Sequence, residues 1–117
     1  MGQSEPEAGG RTPASVACLV SAPTDRAREL ATAVVERRLA ACVNIVPAVE
    51  SVYRWEGAVT RDEEALLVIK TTRAAVEPLI AALGSLHPYE NFELIAVEIV
   101  AGAGPYLRWI GESVGPV

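Results

Sequence analysis

Residues 85–93, SLHPYENFE, bring the chain's single histidine together with side chains able to work beside it: His87, Tyr89, Glu90 and Glu93. An imidazole with nearby carboxylates is a donor set for a divalent cation such as Cu²⁺ or Zn²⁺. The same groups suit acid–base work. Pro88 steers His87 away from helical geometry, onto a connection where functional groups are common. A plain joint between a helix and a strand would look identical, so spacing leaves all three readings open. No cysteine stands at ligand spacing from His87. A tight metal site would need donors from elsewhere in the fold or from a second chain.

Other residues invite weaker readings. Lys70 ends the apolar run ALLVIK, and Glu64 stands just before it. A lysine there snorkels to solvent, or pairs with an acid or anion in a cleft. Tyr53 and Trp55, two apart, share one face of a strand and suit either a binding platform or interface packing. Trp109 reads as an anchor for a last helix. Cys18 and Cys42 sit in apolar segments without a CxxC motif, as reduced, buried thiols of a cytosolic protein. SAPTDRA lacks a glycine-rich phosphate cradle, which argues against an acylphosphatase-type reading. LLVIK and ACLVS carry no aromatics for stacking bases, which argues against RNA binding.

The elements that must position these groups are legible in outline. SVACLVS, residues 15–21, reads as a strand. Thr24 is placed to cap a helix with Ala27, Leu30, Ala31, Val34 and Val35 on one side, ending near Leu39 or Ala40. Residues 42–55 and a second arm to Thr71 form a long hairpin turning at Glu56-Gly57, with Pro47 marking an edge, bend or bulge. Thr72 is placed to cap a second helix that starts late or bends at Pro78 and stops at Gly84. A strand from Glu93 to about Val100 and a short final helix complete the order.

That order, βαββαβ plus a C-terminal helix, is the split β-α-β, or ferredoxin-like, α+β sandwich. Two helices cover one face of its sheet. LIAVEIV and ALLVI do not alternate as strands with a wet face should. The second face therefore requires the last helix or another copy of the chain, and the apolar surplus favours another copy. The chain has 117 residues, half of them apolar, with a formal charge of −5 and a mean hydropathy of +0.26. One domain over residues 14–117 follows from the length, after a disordered tail over residues 1–13. The acidic balance disfavours nucleic acid, no apolar run approaches the roughly 18 residues of a membrane span, and no secretion signal is visible.

Taken together, the pieces resemble the CutA family, named for divalent-cation tolerance. The resemblance rests on SAPTDRARELATAVVERRLAACVNIVPAVESVYRWEG, EEALLVIKTT, LHPYENFELIAV and YLRWI, from about Ser15 to Val114. The combination of AACVN, SVYRWEG, IKTT and LHPYE makes it specific. It implies a ferredoxin-like protomer in a tight homotrimer, sheets edge to edge and hairpin arms reaching across, like the PII signalling trimers. It implies a cytoplasmic protein that takes up divalent metal, copper included, weakly at inter-subunit clefts, with no organic cofactor and no enzymatic activity. His87 and Glu93 match the histidine and second acid of the family's HPYxxPE motif, with Glu90 as a further candidate ligand. Tyr53, Trp55, Glu64, Lys70, Tyr89 and Trp109 match recurring cleft positions. Phe92 stands where the family usually has proline, and Val20 where some members have a candidate copper-ligating cysteine, with Cys18 two residues earlier. The alternative is a PII-like module whose clefts hold a small ligand or partner through Lys70, Tyr53 and Trp55. An enzyme using His87 and Glu93 as acid and base lacks any visible activating constellation.

Overall fold

The computed structural model describes residues 15–115. The tail read over residues 1–13 lies outside the described residues. Strand β1 (Ser15–Ala22) leads to helix α1 (Ala27–Glu36) and then to the long strands β2 (Cys42–Trp55) and β3 (Ala58–Thr72). A single 3₁₀ turn (Arg73–Ala75) precedes α2 (Val76–Leu86), followed by β4 (Ile95–Glu98) and α3 (Gly104–Ser113). The four strands form one antiparallel sheet in the order β2-β3-β1-β4. Mixed α+β architecture and the split β-α-β order are as the sequence implies.

Strand β1 alternates strictly, with Val16, Cys18, Val20 and Ala22 buried. On β3, Ala65, Leu67 and Ile69 face the same way. Against them pack Ala27, Leu30 and Val34 of α1 and Leu79 and Leu83 of α2, one helical face each. This is the apolar core. Cys18 belongs to it and is fully buried, and burial pushes its thiol pKa up, so it is inert. Cys42, expected in the core, is only half-buried, at the first position of β2.

Several boundaries differ from expectation. Thr24 lies in a turn and caps nothing; α1 begins after Arg26 and makes no side-chain cap bond. The helix stops at Glu36 rather than near Leu39, because Arg38 takes a left-handed conformation at φ 60°. Arg38 N–H bonds Val35 O and Leu39 N–H bonds Val34 O, each at 3.0 Å, a Schellman closure. An arginine is an unusual residue for this position. Its guanidinium donates to Gly115 O at 2.7 Å and Glu112 O at 3.2 Å, tying down the end of α3. Thr72 ends β3 instead of capping α2. Pro78 falls in the first turn of α2, where its missing N–H costs no helical bond. The helix runs through Gly84 to Leu86, and His87 is its C-cap.

The hairpin turns on Glu56 and Gly57, both at positive φ, the two-residue geometry that matches strand twist. Pro47 sits in a register break between Val46 and Val49, so the bulge reading holds. With arms of 14 and 15 residues, the hairpin draws the molecule out to 52 × 27 × 22 Å. The second face of the sheet is covered in part. Helix α3 touches β3 and β1. Its Ile110 is fully buried outside the main core cluster. Val46, Ile95 and Val97 stay exposed. β4 is shorter than expected, four residues rather than about eight.

Candidate functional site

The cluster that carries chemistry forms at the end of β1, where β3 runs on into the hairpin. Ala22, the last residue of β1, pairs with Ala65, so Glu64 is the first β3 residue beyond it. Asp62 lies two residues further along on the same face of the strand. Across β2, Tyr53 donates its hydroxyl to Asp62. From the loop after α2, Tyr89 donates its hydroxyl to Glu64 Oε2 at 3.1 Å. Two carboxylates and two phenols thus meet, from three separate parts of the chain.

His87 sets this loop in place. It is 7% exposed. Its Nδ1 accepts the backbone N–H of Tyr89 at 3.1 Å, so the ring proton sits on Nε2, which donates to Ser21 O at 2.8 Å. Phe92 stacks on the imidazole at 5.0 Å and 15°, and the Tyr89 ring lies 4.9 Å away. Proline would give no such stack, which is a physical account of Phe92 at this position. Both histidine nitrogens are engaged, so neither offers a free lone pair to a metal.

Glu64 is the better match to a cation. It is also 7% exposed, yet its bonded partner is a neutral phenol, and no Lys or Arg pairs with it among the described residues. Buried charges are ordinarily paired or coordinate metals. Its Oε1 accepts no hydrogen bond among the described residues. No group of three or more His, Cys, Asp or Glu side chains gathers around a common point among the described residues. One chain therefore supplies at most part of a coordination shell. An open hollow of about 290 Å³ lies beside the bulge, lined by Ala48, Val49, Glu50, Arg61, Asp62 and Glu63.

The structure brings together Tyr53, Glu64, Tyr89 and His87. It leaves Glu90 and Glu93 exposed, in no hydrogen bond among the described residues. Trp55 stands at the hairpin tip, paired with Ala58 and exposed. Lys70 lies at the far end of β3, where its ammonium donates to Asn44 Oδ1. Trp109 pairs with Tyr106 on α3 at 5.4 Å. Sequence reasoning missed Asp62; its two-residue spacing from Glu64 in TRDEE was the available signal.

The electrostatics follow from this packing. Burial and the bond to Glu64 push the Tyr89 phenol up to about 12. A phenol raised on folding stabilises the fold below its unfolded value near 10. That contribution is lost as pH climbs from there through the folded value. In an ultraviolet titration, Tyr89 should ionise last, and Glu64→Gln should lower its midpoint by removing the charged acceptor. An unchanged midpoint in Glu64→Gln would refute the coupling.

A model of the CutA1 divalent ion tolerance protein family matches residues 16–113. Protein CutA of Mus musculus is 45% identical over 105 residues, 88% of this chain and 59% of its own length. The chain thus spans little more than half of that relative. The divalent-cation tolerance protein CutA of Thermus thermophilus is 47% identical over 98 residues, 83% of this chain and 95% of its own. The crystal structure of CutA1 from Oryza sativa superposes with a TM-score of 0.87 at 39% identity, covering 91% of this chain and 98% of that one.

Proposed function

The chain belongs to the CutA1 divalent ion tolerance family, and from that premise we propose that it binds divalent cations, copper among them, weakly at clefts between subunits of a cytoplasmic homotrimer. The observation that supports this is Glu64: a buried carboxylate without a cationic partner among the described residues, next to Asp62, at the base of an arm that extends from the body. One chain offers too few donors for a closed shell, so water or a neighbouring subunit completes it. In this reading His87 positions the 88–93 loop and does not ligate the ion. The exposed Ile95, Val97 and Val46 are the surface a trimer would cover. No helix among the described residues is long and apolar enough to cross a membrane. No catalytic role is assigned.

Calorimetric titration with Cu²⁺ tests the reading. Glu64→Gln should weaken binding about tenfold or more, as expected for losing one charged ligand. His87→Ala should retain most of the affinity of whatever fraction stays folded. Equal binding by wild type and Glu64→Gln would overturn it. A folded particle of 12.4 kDa in dilute sedimentation would overturn the trimer.

Lys70 favours a second reading, a PII-like module for a small anionic ligand or partner. Its ammonium has the neutral Asn44 amide as partner and no carboxylate ion pair among the described residues. A ligand that binds only the folded state raises the melting temperature. A shift with nucleotides or small anions that Lys70→Gln abolishes would support this reading; no shift with any of them would reject it.

A further inference from the structure

Resting on the cation reading of Glu64, we propose that Tyr89 is a gate on that carboxylate, its hydroxyl competing with an incoming divalent cation for Glu64. The two side chains differ sharply in burial. Glu64 is 7% exposed and Tyr89 38% exposed, although they share a hydrogen bond. The tyrosine therefore lies on the solvent side of the acid and shields it. Its backbone is pinned by Nδ1 of His87, while its flanking residues Pro88 and Glu90 are exposed. The side chain can swing about Cα–Cβ without disturbing the loop that carries it.

The competition is chemical as well as steric. A phenol O–H occupies Oε2, one of the two oxygens with which the carboxylate would chelate a cation, and it brings no positive charge. Tyr53 plays the same part on Asp62, so both acids of the pair are held by neutral donors. An ion that displaces these donors must offset two lost hydrogen bonds with its own attraction to two carboxylates. A divalent ion gains about twice what a monovalent ion gains from the same charges. Such a site is closed to monovalent ions, opens for divalent ones, and binds them with reduced affinity. Weak binding then follows from the gate and not only from a shortage of ligands.

Titrating Cu²⁺ calorimetrically into wild type, Glu64→Gln, Tyr89→Phe and the double variant tests this. Phenylalanine keeps the ring beside His87 and removes only the competing hydroxyl. Tyr89→Phe should bind Cu²⁺ about tenfold more tightly than wild type, since hydrogen bonds to charged groups are the stronger class. The double variant should bind like Glu64→Gln alone. Affinity in Tyr89→Phe equal to or below wild type overturns the gate while leaving the cation reading intact. If Glu64→Gln binds like wild type, the cation reading itself fails and the gate with it. A second measurement on the unmutated protein guards against a folding defect. At neutral pH, saturating Cu²⁺ should free the Tyr89 hydroxyl from Glu64 and give a tyrosine ultraviolet difference spectrum that Tyr89→Phe lacks; the absence of any Tyr89-dependent difference would also overturn the gate.

Discussion

Alanine at position 87 is expected to lower the stability of the fold by roughly 2–4 kcal/mol, a large effect for one polar side chain. His87 is buried between the end of β1 and the loop after α2. Its removal leaves Ser21 O without its donor and the Tyr89 N–H without its acceptor, and it opens a gap against Phe92. An unmade buried hydrogen bond costs about 1–3 kcal/mol, more than the bond gains when made. Asparagine carries a donor NH₂ and an acceptor carbonyl and should recover part of the loss; leucine, matched in bulk but not in polarity, should recover less. Urea denaturation of the three variants measures this. A loss below about 0.5 kcal/mol in His87→Ala, the range of ordinary surface substitutions, would show that the imidazole does not hold the joint.

The second large effect separates the two faces of the sheet. Leu67 is fully buried against α1 and α2, and Leu67→Ala should cost about 3–5 kcal/mol through lost transfer energy and a residual cavity. Leu66, its neighbour in sequence, points to the other face and is only half-buried in the single chain. Leu66→Ala should cost about 1–2 kcal/mol if that face stays open. If subunits close it, the cost should approach that of Leu67→Ala and grow with protein concentration, because assembly stabilises by mass action. Denaturation at two widely separated concentrations distinguishes the cases. A small Leu66→Ala effect that ignores concentration would count against the proposed trimer, whatever the outcome for Leu67.

The order of elements, the apolar face of each helix, the Glu56-Gly57 turn and the irregularity at Pro47 were all legible in the chain. Each depends on residues within one turn or one strand of each other. Backbone periodicity imposes the apolar spacing directly, and proline and glycine restrict or free φ where they stand. The helix ends were less legible. Thr24 and Thr72 are good capping types, but α1 starts only after Arg26, and Thr72 precedes a 3₁₀ turn without a side-chain bond to it. Arg38, a poor residue for the left-handed region, holds that conformation with its guanidinium anchored on α3, 74 and 77 residues away.

Local spacing likewise suggested His87 with Glu90 and Glu93, because they are neighbours in sequence. Tertiary structure chose otherwise. The partners of His87 include Ser21, 66 residues distant, and Tyr89 reaches Glu64 across 25. Those meetings depend on which strands pair and in what register, and a hydrogen bond needs its donor and acceptor within about 3 Å. Composition and periodicity determined that this chain forms a split β-α-β sheet with more apolar surface than its helices hide. Only the register of β1 against β3 decided that the buried carboxylate would be Glu64, with a phenol over it and a histidine pinning the backbone that carries that phenol.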